Sequence, residues 1–465
     1  MNRILIILFA LCVSVAHSQS SEKYNSEYEN FYRAEELFVK EQYAAARIEF
    51  RAFIESFGAV RPNDPTYVKA RYYEAVSALE LYNNDAVTLL ENFNRTYPES
   101  IYKMDIYFRL GKFYYQKKDF KEALAWFNRL SAEDIEEEDR EEFYFKLGYS
   151  NFQEKHYEEA RSAFHEVKDG ISEYAPPALY YYSHIAYMNK NYQVALEGFL
   201  KLENNESFGK VVPYYIAQIY YLQGKYSEVT EYANRLTNER GVANERDMNQ
   251  LIGDAYYRVG KYDEAVPFLE EYNKMTQTSR EDDYRLGYAY YKSRHWKKAV
   301  EMFDKVKKVE DSLGQVAYYH TGECFLKIGN KVSARSGFEG AAFIDADPKV
   351  QEDALFNYAI LSYQLDINPY DEAVEAFELY LTRYPNSDRR KDVYQYLVNV
   401  YLSTNNYAKA LASLDKIQNK DVKLKMAYQL IAYNQGVERH QNGDYSGAIT
   451  SFALVPKFPI DPDIS

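Results

Sequence analysis

The chain is short of the residues that mark several protein classes. It has 2 Cys, 2 Trp, 13 Pro and 19 Gly in 465 residues. Two cysteines exclude a disulfide scaffold and a multi-cysteine zinc site. So few Gly and Pro speak against collagen-like order and against broad disorder. Positive charge is also short: 56 Lys and Arg stand against 70 Asp and Glu, a net charge of −14. A nucleic-acid backbone needs a basic face, and this balance does not provide one. No apolar run after the first residues approaches the length of a membrane span. No His-Glu-x-x-His, phosphate-binding Gly loop or Gly-x-Ser-x-Gly elbow occurs. The histidines show no ligand spacing, so no metal or cofactor is expected, and nothing points to an enzyme. What the chain has in abundance is tyrosine: 50 of 465, about 11%.

Residues 1–18 read as a secretory signal, with Arg3, an apolar run from Ile4 to Val15, and small residues at Ala16 and Ser18 before Gln19. Export is therefore expected, to the periplasm or the outer membrane. Cys12 invites comparison with a lipidated cysteine, but Leu11 stands where a lipobox needs a small residue, which argues against an anchor. Residues 19–30 form a short N-terminal tail. Of the two cysteines only Cys324 remains after cleavage, in a helical register that suits a packed thiol.

Internal repetition decides the architecture. One signature recurs: an aromatic, Ala three residues on, then Phe or Leu four further. Tyr43-Ala46-Phe50, Phe120-Ala123-Phe127, Tyr157-Ala160-Phe164, Tyr192-Ala195-Phe199 and Tyr262-Ala265-Leu269 fit. So do Trp296-Ala299-Phe303, Tyr370-Ala373-Phe377, Tyr407-Ala410-Leu414 and Tyr445-Ala448-Phe452. With weaker copies around Ala86, Val229 and Ala334, twelve anchors lie 34 to 40 residues apart. Twelve residues before the anchor a small residue recurs: Ala34, Gly111, Gly148, Ser183, Ala217, Gly253, Gly287, Gly322 and Gly436. Small residues on both sides let two helices approach, and large ones at 3.6-residue spacing fill the seam. Each repeat is thus a helical hairpin, helix A followed by helix B. The fold class is all-α, an αα-superhelix over residues 31–455, with 456–465 as a C-terminal tail. Pro456, Pro459 and Pro462 bar a further helix there, so either the tail docks over the last hairpin or the natural chain continues.

Leu110-Gly111-x-x-Tyr114 with Ala123 and Phe127, and Leu286-Gly287-x-x-Tyr290 with Ala299 and Phe303, resemble the tetratricopeptide repeat. The resemblance covers about residues 31–455. Tyr97-Pro98-Glu99-Ser100 and Tyr384-Pro385-Asn386-Ser387 look like the interhelix link of exported bacterial repeat proteins, the outer-membrane assembly lipoprotein and Tol–Pal accessory type. That family implies a scaffold that binds other proteins, with A helices lining a concave inner surface.

Numbering the small residue as repeat position 8, positions 5, 9 and 12 share one stripe of helix A. The stripe holds Tyr115, Tyr149, Phe152, Tyr180, His184, Tyr187, Tyr214, Tyr221, Tyr257, Tyr284, Tyr288 and Tyr291. Two readings stand: these rings pack neighbouring repeats together, or they wall a groove with hydroxyl tips. A groove of that chemistry would take a segment of an envelope protein, or alternatively a cell-wall or surface glycan. The oligomeric state is open.

Overall fold

The computed structural model describes residues 27–57, 61–236, 244–365, 369–403, 406–417 and 419–464, the side chains of 369–371 and 403 excepted. The expected signal, Cys12 and most of the N-terminal tail lie outside these residues. Among the described residues there are 24 α-helices and no strand, an all-α fold. They alternate as A and B partners. The A helices are α1 (Glu29–Val39), α3 (Pro65–Glu80), α5 (Lys103–Gln116), α7 (Arg140–Gln153), α9 (Ala175–Met188), α11 (Val212–Leu222), α13 (Glu245–Arg258), α15 (Arg280–Lys292), α17 (Ser312–Ile328), α19 (Pro348–Gln364), α21 (Arg390–Ser403) and α23 (Val422–Gln441). The B helices are α2 (Tyr43–Phe57), α4 (Ala86–Thr96), α6 (Phe120–Phe127), α8 (Tyr157–His165), α10 (Tyr192–Lys201), α12 (Tyr226–Leu236), α14 (Tyr262–Met275), α16 (Trp296–Val306), α18 (Lys331–Ala342), α20 (Pro369–Arg383), α22 (Tyr407–Lys416) and α24 (Tyr445–Phe452). The last two residues of the expected N-terminal tail are helical, because α1 starts at Glu29. The chain divides into two compact units, residues 1–219 and 220–465.

The repeat signature is the seam of each hairpin. Anchors Ala46, Ala123, Ala160, Ala195, Ala265 and Ala299 are fully buried, as are Phe50, Phe127, Phe164, Phe199 and Phe303 at position 24. Gly111 shows why position 8 is small: a Cβ there would lie 2.3 Å from the Phe127 ring. Local chemistry sets the helix ends. Asp64 accepts from the Thr66 amide at 2.9 Å and Pro65 opens α3, a cap and a first residue that need no further partner. The A–B turns place one residue in the left-handed region: Glu41, Tyr82, Lys118, Lys155, Lys190, Gly224, Gly260, Arg294, Gly329 and Gly443.

Positions 3, 7 and 10 of an A helix face the preceding hairpin. In α5 they are Ile106, Leu110 and Phe113, and in α11 Val212, Ile216 and Ile219, all buried. In α1 they are Glu29, Arg33 and Glu36, with Arg33 paired to Glu29 at 2.6 Å and Glu36 to Lys40 at 2.6 Å. The first described A helix therefore shows a charged front where α5 and α11 are apolar. At the other end the C-terminal tail docks. The Gln429 amide donates to the Asp461 carbonyl at 2.8 Å and accepts from its N–H at 2.7 Å. Phe458 meets Tyr428 edge-on at 5.2 Å, and Lys457 pairs with Asp415 at 2.8 Å. Tyr445 and Ile449 of α24 remain exposed.

Candidate functional site

Each A helix carries its positions 5, 9 and 12 on one stripe, because residues three and four apart are helix neighbours. All twelve stripe residues expected from the sequence are half-buried. Their rings cover one another, so the packing reading and the surface reading each hold in part.

In the first unit the rings form a connected series. Tyr115 meets Tyr149 at 5.7 Å, Tyr149 meets Tyr181 at 5.2 Å, and Tyr181 meets Phe152 at 4.9 Å. Phe152 then meets His184 at 6.0 Å, His184 meets Tyr215 at 5.5 Å, and Tyr215 meets Tyr187 at 5.4 Å. Tyr180 stacks on Phe208 at 4.8 Å and Tyr214 touches Tyr215 at 5.7 Å. The Tyr187 hydroxyl donates to Gln218 Oε1 at 2.8 Å, which ties position 12 of one repeat to position 9 of the next.

The second unit uses the same tie with charge in it. Tyr221 donates to Asp254, a buried carboxylate that also pairs with Arg258 at 2.5 Å and Arg285 at 3.0 Å. Tyr257 meets Tyr288 at 5.8 Å, and Tyr288 lies 6.0 Å from Tyr284 and 5.8 Å from Tyr291. His320 sits among Tyr291 at 4.9 Å, Tyr288 at 5.2 Å and Tyr319 at 5.6 Å, its Nδ1 2.6 Å from Glu323.

Burial controls the titration of the stripe. Loss of water pushes Tyr115, Tyr187, Tyr221 and Tyr257 up to about 12, and raises Tyr180, Tyr284 and Tyr291 further. At Tyr221 the bond to Asp254 adds to desolvation. These hydroxyls stay protonated and act as donors. Desolvation lowers His184, whose Nδ1 is buried without a hydrogen-bond partner. Cys324 is buried, and desolvation pushes its thiol up to about 12, which removes it as a nucleophile at neutral pH. The stripe thus presents ring edges and phenol donors around neutral pH. Many ring faces are taken by neighbouring rings, which disfavours sugar stacking.

Sequence reasoning missed position 6. Tyr73, Tyr181, Tyr215, His320 and Tyr396 stand there, and each lies on the buried Phe of the preceding B helix: Phe50, Phe164, Phe199, Phe303 and Phe377, at 5.1 to 5.7 Å. The signal was present, a ring two residues before the small residue in several repeats. Position 6 holds Arg109, Lys146 and Arg285 in others, which obscured it.

No helix of the described residues is long and apolar enough to cross a membrane. No curated protein matches the chain. Among solved structures it is similar to the C-terminal part of a TPR repeat-containing protein from Cytophaga hutchinsonii, at 17% identity over 62% of this chain and 98% of that one, TM-score 0.27. It is similar to a chain of Naa15/Naa10 bound to HypK-THB, 13% identical over 92% and 68%, TM-score 0.40. It is also similar to the P58(IPK) TPR domain, 14% identical over 73% and 99%, TM-score 0.23. At such scores the likeness carries no argument about function. Two family models, both described as tetratricopeptide repeat, match residues 283–310 and 353–387, and residues 105–131 and 247–278. These four segments carry tetratricopeptide repeats, a fold that generally serves as a non-catalytic protein–protein interaction scaffold.

Proposed function

We propose that this protein is a non-enzymatic scaffold, exported to a bacterial envelope, that holds partner proteins along the aromatic stripe of its A helices. The observation that carries the reading is the state of that stripe. Its twelve rings are half-buried, so each presents an edge or a hydroxyl while neighbouring rings hold it in place. Tyr at such a surface offers apolar contact and a donor with little entropy left to lose. Export rests on residues 1–18 alone.

Affinity capture from envelope extract tests it, with residues 19–465 as bait beside a variant carrying Tyr149→Ser, Tyr187→Ser, Tyr221→Ser and Tyr288→Ser. The variant must match the parent in helicity and melting before comparison. A partner held by the parent and lost from the folded variant supports the stripe. A partner held equally by both places binding elsewhere and sinks this reading. Cell fractionation checks the address, and a cytoplasmic full-length chain would refute export.

A further inference from the structure

The second unit carries a local charge that runs against the whole chain. Lys292-Ser293-Arg294-His295-Trp296-Lys297-Lys298, the turn from α15 into α16, holds four cations and no acid in a chain of net charge −14. Lys298 pairs with Glu270 at 2.9 Å. Lys292, Arg294 and Lys297 are exposed and form no ion pair among the described residues. Lys327, which occupies the place of Lys292 one hairpin later, is likewise exposed and forms no ion pair among the described residues. The carboxylate nearest in sequence to Lys327, Glu323, is engaged by His320 at 2.6 Å. Glu301, one turn after Lys297, is exposed.

Backbone geometry sets this turn apart from its two neighbours, though five turns of the first unit also carry a side chain at this position. Arg294 has φ 62, whereas the flanking hairpins fill that left-handed position with Gly260 and Gly329. Glycine takes this conformation freely and Arg does not, so keeping Arg here costs stability. The cations also adjoin the aromatic stripe. Lys292 Nζ lies 5.1 Å and 5.5 Å from the Tyr288 and Tyr291 ring centres, and Tyr291 lies 5.6 Å from Trp296.

We propose that this surface binds an acidic segment of a partner protein. Its carboxylates pair with Lys292, Arg294, Lys297 and Lys327, and its apolar side chains rest against Tyr291 and Trp296. The proposal rests on the scaffold reading and names the partner's chemistry for one part of it. Charge complementarity selects the occupant. A phosphate backbone or an anionic bilayer spans far more than two hairpins and would meet the acidic remainder of the chain. A short acidic peptide meets only the basic patch.

The probe is a fluorescein-labelled peptide EEFEELEEFE, titrated into the full mature chain by anisotropy, with QQFQQLQQFQ and phosphatidylglycerol vesicles as the other arms. The acidic peptide is expected to saturate the parent, to bind at least tenfold more tightly than the glutamine peptide, and to weaken with salt. Arg294→Gly removes the cation and relieves the backbone. It should melt at or above the parent while binding the acidic peptide at least tenfold more weakly, and Lys327→Gln should weaken it further. Equal binding of both peptides, unchanged binding to Arg294→Gly, or Arg294-dependent binding of vesicles without peptide binding would each overturn the proposal. The two failures are separable. If Arg294→Gly keeps every partner that the tyrosine variant loses, only this inference fails. If neither variant loses a partner, the scaffold reading fails with it.

Discussion

The two units turn their hairpins with the same backbone and different residues. The first fills the left-handed turn position with Glu41, Tyr82, Lys118, Lys155 and Lys190, and never with Gly. Among its described turns the second uses Gly224, Gly260, Gly329 and Gly443, with Arg294 as the exception. A side chain in that region costs about 1–2 kcal/mol, partly offset because Gly has more freedom to lose on folding. The stripes differ in the same spirit. Where position 12 meets position 9 of the next repeat, the first unit makes a neutral Tyr187–Gln218 bond, and the second sets Tyr221 on Asp254 with Arg258 and Arg285. One architecture thus tolerates two chemistries, since position 24 bears the seam in both.

That shared dependence gives the largest expected effects. Phe164→Ala and Phe303→Ala each empty a fully buried site and should cost about 3–5 kcal/mol. Urea unfolding followed by far-UV circular dichroism checks this. If the units are energetically separate, each substitution moves only one of two transitions; a single shared transition would erase the contrast. Next come the ties. Tyr221→Phe takes a donor from a buried carboxylate and should cost about 1.5–3 kcal/mol, against about 0.5–1.5 for Tyr187→Phe, whose partner is neutral. Equal costs would mean that Arg258 and Arg285 already satisfy Asp254.

The turns should give smaller shifts of opposite sign. Lys118→Gly, Lys155→Gly and Lys190→Gly should each stabilise the first unit by about 0.5–1 kcal/mol, while Gly443→Ala should destabilise the second by about 1. Melting of the single variants tests both halves. The smallest effect is a pH response confined to the first unit. Burial depresses the folded-state pKa of His184 below its unfolded value near 6.5, so the folded chain binds that proton less readily. This contribution is present in full above about pH 6.5 and is lost as pH falls toward the folded value. Melting of the parent should therefore drop more between pH 7 and 5.5 than that of His184→Gln. A parallel drop in both would remove His184 from the account.

Much of the fold could be read from spacing alone. Each hairpin buries its own seam, so Gly111 against Phe127 is a local event that twelve-residue arithmetic captures. The stripe was legible as a list of residues and not as a state. Whether Tyr149 is open or packed depends on Tyr115 and Tyr181 from neighbouring repeats, and on the rotamers that bring those rings together. Position 6 escaped because its role mixes rings with Arg and Lys. The left-handed lysines were equally hidden. A Lys in a polar turn looks ordinary until its φ is known. The tail's docking depended on Gln429, an interior residue of α23 with no distinguishing sequence context.

The charged front of α1 bears on how such an array can be rearranged. An interior hairpin such as those begun by α5 and α11 presents an apolar front, so it can be duplicated, deleted or exchanged between neighbours with that contact re-formed. The first hairpin cannot move inward, because Glu29, Arg33 and Glu36 would be pressed against a B helix with no water to solvate them. Length variation in this architecture is therefore directional: a hairpin with an apolar front can accept a neighbour before it, whereas α1 could do so only by burying its charges.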